Sequence, residues 1–329
     1  MNILVIGGTR FIGRHFVDLA RARGHAITLF NRGKTNADLY PDVETIQGDR
    51  DKQGDLDQLR GRTWDAVLDT CGYIPRHVTM LAETLRDAVN QFAFISTISV
   101  YADPVQEGAD EDAPLKTLDD ATTEEVTGET YGGLKVLCER AADVIMPGRV
   151  VHIRPGLVVG SYDPTDRFTY WVDRIAKGGD VLVPGVASRR VQFIHAADLG
   201  AFMLRLIEDR VMGVYNAVNP TTPIHWGEWM ESTKRATGSD AQFTWVSDEF
   251  LQTHNVTGAE LPFWVPAPHD GVLGVSNQRA IERGLTSLSI DQVVAETLAW
   301  SRSRPADHVW KAGLSAQREA ELLAKWRAN

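Results

Sequence analysis

The passage from Asn2–Ile6 straight into Gly7-Gly8-Thr9-Arg10-Phe11-Ile12-Gly13 constrains this chain more than any other feature. An apolar run without polar alternation predicts a strand covered on both faces, as in a parallel sheet. A helical pattern from Arg14 to Arg23 follows. Strand, glycine turn and helix in that order form the place where a dinucleotide pyrophosphate binds, held by backbone N–H groups and a helix N-terminus. Glycines let the phosphates approach the backbone. A nucleoside-triphosphate loop does not fit, because Arg14 and His15 stand where Lys and Ser or Thr should be.

The same alternation of short apolar runs and helical stretches continues to about residue 155. Strands are expected near Asn2–Ile6, Ala26–Phe30, Glu44–Ile46, Ala66–Leu68, Ala93–Ile95 and Val150–Ile153. Val78, Leu81, Leu85, Ala88 and Val89 predict a helix from Arg76 to Asn90, and Leu134, Leu137, Cys138 and Ala141 predict another from Tyr131 to Ala142. The expected architecture is α/β: a Rossmann-type doubly wound parallel sheet over 1–155, with a smaller C-terminal substrate-binding lobe over 156–329. Eight of the nine tryptophans lie beyond residue 160, which predicts bulky packing in that lobe. Trp264, flanked by prolines in Leu-Pro-Phe-Trp-Val-Pro, is the one expected to wall a pocket. Ser315 should cap a last helix burying Ala316, Ala320, Leu323 and Trp326.

The net charge of −10 is concentrated. Between Ala102 and Thr130 ten carboxylates face Lys116 alone, so this segment carries nine of the ten net negative charges. It is expected to be a solvated, flexible stretch, with a lid as the alternative. A negative field repels phosphate backbones, so no nucleic-acid partner is expected. No stretch approaches the roughly 18 apolar residues of a spanning helix, and the first residues leave no room for a leader; no membrane partner and a cytoplasmic location are expected. Cys71 and Cys138 stand alone, outside any metal-ligand spacing, so no metal is expected.

The second strand ends in Phe30-Asn31-Arg32-Gly33-Lys34. An acidic residue at that tip holds the ribose of NAD, whereas Arg accommodates the extra phosphate of NADP. Here Asn31 replaces the acid and Arg32 and Lys34 follow, with Arg10 as a third cation. NADP(H) is favoured, with NAD(H) as the alternative. Tyr131-Gly132-Gly133-Leu134-Lys135 places a phenol and an ammonium on one helix face. The ammonium favours phenolate, which makes Tyr131 a proton shuttle. Ser96-Thr97-Ile98-Ser99 sets hydroxyls just past the fifth strand, where ligands of open α/β sheets bind, although such clusters are also ordinary turns.

With these residues in view, the chain resembles the extended short-chain dehydrogenase/reductase superfamily, in its nicotinamide-dependent epimerase/dehydratase group, as far as about Trp300. The glycine turn and Glu-Thr-Tyr-Gly-x-Leu-Lys are most similar to the atypical branch containing chloroplast stem-loop-binding proteins and bacterial reductases. The resemblance implies that Gly7, Thr9, Arg10, Phe11, Ile12 and Gly13 hold the pyrophosphate and Asp49 the adenine. It implies that Cys71, Gly72 and Pro155 pass beside the cofactor, and that Thr97, Tyr131 and Lys135 are catalytic. His195 and Asp198 match a return, over 192–200, to the dinucleotide domain. Arg10 replaces the family's middle glycine. Ile98-Ser99 stand where sugar-nucleotide dehydratases carry Asp-Glu, so 4,6-dehydration is not expected. Where sugar-nucleotide enzymes place a diphosphate-clamping Arg, this chain has Val191, with Arg189 and Arg190 adjacent. Ser99, Arg189, Arg190 and Trp264 are the candidate substrate contacts.

The function expected is NADP(H)-dependent hydride transfer to or from a carbonyl or secondary alcohol of a small molecule. The alternatives are an epimerase of a sugar or nucleotide-sugar that retains its NAD(P), and a non-catalytic RNA-binding or regulatory protein. A homodimer is expected through the two amphipathic helices.

Overall fold

The structure, a computed structural model, describes residues 1–328, with the side chains of 219–222 excepted. The chain divides into two compact units. The first comprises Met1–Leu157, Ala196–Val218 and Val275–Thr286. Its sheet contains β1 (Asn2–Ile6), β2 (Ala26–Asn31), β3 (Glu44–Gln47), β4 (Trp64–Asp69), β5 (Val89–Ile95), β6 (Val150–Pro155) and the strand Gly213–Ala217. From the edge formed by Gly213–Ala217 the order is β6, β5, β4, β1, β2, β3, and every pairing is parallel. The order reverses between β1 and β4, so the crevice beyond their carboxyl ends is where such a sheet takes its ligand. Ile3 to Ile6, Ala66 to Leu68 and Phe92 to Phe94 are fully buried, as strands covered on both faces must be. Each large side chain so buried stabilises the unit by about 1.5–3 kcal/mol.

Several expectations are corrected. The helix α1 spans Phe11–Ala22, three residues earlier than the pattern from Arg14. The helix expected over 76–90 is Pro75–Leu85, and the strand expected at 93–95 begins at Val89. Ala88 and Val89 continue the helical spacing, but Trp64 donates to the Ala88 carbonyl and pairs with Val89, so the sheet claims them. Val78, Leu81 and Leu85, with Cys138 and Ala142 of the helix Tyr131–Ile145, pack inside one core. These stripes serve the subunit itself.

The acidic segment is not a purely solvated stretch. Glu111 is buried, accepts the Asn216 N–H at 2.8 Å and pairs with Arg279 at 3.3 Å, while its carbonyl takes a bond from Arg154. Glu124 pairs with Arg76 at 2.8 Å. The return to the first unit starts at Ala196, and the strand Arg190–His195 stays in the second. A further return, Val275–Thr286, had no sequence signal; Asn216 and Asn277 anchor it through bonds to the Ser276 and Val218 carbonyls.

The second unit comprises Val158–His195, Asn219–Gly274 and Ser287–Asn329, with one three-stranded and one two-stranded sheet. Its core is aromatic. Phe168 stacks on Trp229 at 4.8 Å, and Trp171 meets Trp226 edge-on at 5.1 Å. The last helix, Ala316–Ala328, is capped by Ser315 as expected, but buries Glu319, Leu322 and Leu323 rather than Ala316 and Ala320. Glu319 turns inward because it binds Arg174 and the Leu182 N–H. Trp326 is half-buried against Phe250.

Candidate active site

The glycine turn owes its path to backbone that only glycine adopts readily. Gly7 and Gly8 have φ of 101° and 90°, and a Cβ on Gly13 would lie 2.8 Å from the Gly8 Cα. The start of α1 therefore packs directly on the turn. Its N-cap, Arg10, makes no side-chain cap bond, Phe11 sits at a φ of 37°, and Ile12 is half-buried. The first N–H groups of α1 lack a side-chain acceptor from the cap, which is the arrangement that receives an anion. A Cβ on Gly7 would approach the Thr70 hydroxyl at 2.6 Å. The open backbone thus fits a dinucleotide pyrophosphate. The family resemblance does not single out Gly8, yet its φ and the close approach of Gly13 make it as necessary as Gly7.

Three side chains staple the turn to the loop after β2. Asn31 donates to the Gly7 carbonyl at 3.3 Å and accepts the Gly33 N–H at 2.8 Å. Thr9, buried, donates to the Thr35 carbonyl, and Asn36 donates to that of Thr9. Arg10 is consequently held beside the loop carrying Arg32 and Lys34. All three cations are exposed and form no ion pair among the described residues. Asp49, half-buried, accepts the Asp51 N–H at 3.2 Å and so caps its own turn.

The ends of β4 and β5 carry the second cluster. Lys135, 3% exposed, donates to the carbonyls of Gly72 at 2.7 Å and Ile95 at 2.6 Å. Its ammonium lies 4.0 Å from the Phe94 ring centre. Burial pushes its pKa down to about 8. Thr97, buried, accepts the Ser99 N–H at 3.1 Å and lies 3.2 Å from the Ser99 hydroxyl. Tyr131 opens its helix, half-buried. Gly132 explains how the helix reaches this place: a Cβ there would collide with the Ser99 carbonyl oxygen. Its bare backbone brings Tyr131 to the Thr97–Ser99 turn. Pro155 ends β6, and a Cβ on Gly156 would lie 3.5 Å from Ile98, so this turn borders the same cluster.

Beneath the cluster lies a buried ion pair that no sequence signal announces. Arg50 grips Asp69 at 2.6 and 2.8 Å and reaches the Cys71 sulfur at 3.3 Å. Burial pushes the Asp69 carboxyl up, but the charge and hydrogen bonds of Arg50 outweigh it and hold the carboxyl below its ordinary range. Asp69 also accepts the Cys71 N–H, fixing the path toward Gly72. Burial raises the Cys71 thiol pKa, so it stays protonated.

In the second unit, Arg189 meets Asp248 through both terminal nitrogens, and Trp264 donates to the same carboxylate at 2.9 Å. Trp264 is buried rather than an open pocket wall, because its indole N–H is committed to Asp248. Arg190 is half-buried at the start of its strand. Among the described residues no group of His, Cys, Asp or Glu converges on a metal position, and no helix is long and apolar enough to cross a membrane.

Residues 3–219 match the family model described as the NAD dependent epimerase/dehydratase family. The chain is 26% identical over 227 residues to the chloroplast stem-loop binding protein of 41 kDa b of Arabidopsis thaliana; that match covers 63% of this chain and 55% of the plant protein. It is 25% identical to the epimerase family protein SDR39U1 of Mus musculus, over 85% of this chain and 88% of that one. Among solved structures, a UDP-glucose 4-epimerase matches with a TM-score of 0.72 at 16% identity, covering 94% of this chain and 100% of that one. The Bordetella bronchiseptica enzyme WbmH in complex with NAD+ matches with a TM-score of 0.68 at 17% identity, covering 92% and 98%. At these identities the structures establish the fold.

Proposed function

Because this chain belongs to the NAD-dependent epimerase/dehydratase family, we propose that it is an NADP(H)-dependent oxidoreductase acting on a carbonyl or secondary alcohol of a small molecule. The observation carrying the cofactor choice is the tip of β2. Asn31 spends its amide on the glycine turn, no carboxylate is provided at that tip for a ribose diol, and three cations without an ion pair among the described residues flank it. Gly7, Gly8 and Gly13 would hold the pyrophosphate, Arg32 and Lys34 the 2′-phosphate, with Arg10 adding charge. Asp49 would face the adenine, and Gly72 and Pro155 the nicotinamide side. When bound, the nicotinamide supplies or accepts the hydride.

The chain's own residues handle the proton and the oxygen. Thr97 and Tyr131 hydrogen-bond the substrate oxygen, and in reduction Tyr131 gives it the phenolic proton. An ammonium has three N–H donors, of which Lys135 spends two on the Gly72 and Ile95 carbonyls. The third remains for the ribose, and the charge lowers the cost of phenolate at Tyr131. Ser99, beside Thr97 in the first unit, is a proposed substrate contact. Within the second unit Arg190 is the proposed contact, and Arg189 and Trp264 are both locked on Asp248. The binding named for the plant relative is not carried over, because the net charge of −10 disfavours RNA.

The family description also names epimerases, and the same Thr97, Tyr131 and Lys135 could serve oxidation and re-reduction on a retained cofactor. The two readings separate on the purified protein. Heat-denatured samples should release little nicotinamide, and added NADPH should bind and exchange freely. An equimolar nicotinamide that survives dialysis would instead establish the epimerase.

A further inference from the structure

Within the second unit, a cavity of about 900 Å³ opens between the helix Arg167–Ala176, the 310–316 loop and the helix Ala316–Ala328. That volume lies in the range of small-molecule sites. Its inner wall is fixed: Arg174 pairs with the buried Glu319 and also binds the Gly178 carbonyl at 2.9 Å. The loop is tied at two points, by bonds from the Lys311 N–H to Asp166 at 3.1 Å and from the Gly313 N–H to the Ala259 carbonyl at 2.8 Å.

Three features of this wall suit a ligand. Tyr170 is 6% exposed, yet its hydroxyl has no hydrogen-bond acceptor among the described residues. Burial raises its pKa, so it remains a donor. A buried donor left unmet is costly, and such groups ordinarily find a partner. Lys177 and Lys311 are exposed cations with no ion pair among the described residues, whereas Arg174 and Arg327 are paired with Glu319 and Asp180. Trp310 is half-buried at the same wall; Arg304, outside the cavity lining, lies 4.5 Å from its ring centre, and the Lys177 ammonium, which does line the cavity, lies 6.0 Å away.

We propose that this cavity binds a planar anion of about nucleotide size, its ring against Trp310, its phosphate or carboxylate between Lys177 and Lys311, and an acceptor atom on the Tyr170 hydroxyl. The site is separate from the dinucleotide turn, since every lining residue belongs to the second unit.

Calorimetric titration of the full chain with 1-naphthyl phosphate and, separately, 1-naphthoate tests this and distinguishes the two anions. Saturable binding of one equivalent of either probe below about 1 mM is expected. Loss of a charge-assisted contact should weaken it about tenfold or more in Lys177→Ala/Lys311→Ala. Tyr170→Phe keeps the ring that packs on Gly313 and removes the unmet donor, so it should weaken binding without lowering the thermal midpoint of the free chain. No saturable binding of either probe, or affinity unchanged in both variants, would overturn the proposal.

Discussion

Replacing Lys135 with Met should change how stability depends on pH, and the size of the change follows from where the ammonium lies. Burial lowers its pKa from 10.5 to about 8. Below about pH 8 both folded and unfolded chains hold the proton, and the full cost of burying the charge is present. Between about 8 and 10.5 the folded chain has released a proton that the unfolded chain keeps, so stability rises with pH across that window. The gap corresponds to about 3 kcal/mol, most of which is recovered between pH 7 and pH 10. The Met variant loses this term, and also the bonds to the Gly72 and Ile95 carbonyls, which cost about 1–3 kcal/mol each if left unmet. Those losses do not depend on pH. Urea unfolding of the cofactor-free protein at both pH values should therefore show the wild type gaining about 2–3 kcal/mol on the variant. Two stability profiles that run parallel from pH 7 to 10 would refute the reasoning.

Tyr131→Phe keeps the ring and removes the proton donor, so turnover should fall about a hundredfold or more with NADPH affinity nearly unchanged, as read from steady-state kinetics and titration. Gly132→Ala drives a methyl into the Ser99 carbonyl; it should cost about 1–3 kcal/mol of stability in thermal unfolding and lower turnover with it. The stripes of Pro75–Leu85 and Tyr131–Ile145 are buried within the subunit, so a homodimer through these helices would have to use their outer faces, where Val144 is 80% exposed; light scattering at micromolar concentration should then give twice the chain mass, and a monomer mass would reject it.

The glycine turn was legible because its backbone admits few residue types, and Tyr131 and Lys135 because four residues span one helical turn. The start of β5 was not, since Val89 fits a helical stripe until Trp64 pairs with it. Arg50 and Asp69 lie 19 residues apart, and nothing local tells a buried ion pair from two surface charges. Glu111 looks like one of ten solvated acids because Asn216 and Arg279, which hold it, lie more than a hundred residues away. Asn31 shows the opposite case: its identity reads as a missing carboxylate, whereas its amide also shapes the turn.

Cofactor choice tests the account most directly, because it rests on Arg32, Lys34 and the committed amide of Asn31. Fluorescence titration should show wild type binding NADPH at least about tenfold tighter than NADH, from one or more charge-assisted contacts worth roughly 1.5–3 kcal/mol. Arg32→Ala should remove most of that preference by weakening NADPH alone. Equal affinity for the two cofactors in the wild type, or a ratio unchanged in Arg32→Ala, would contradict the NADP(H) assignment.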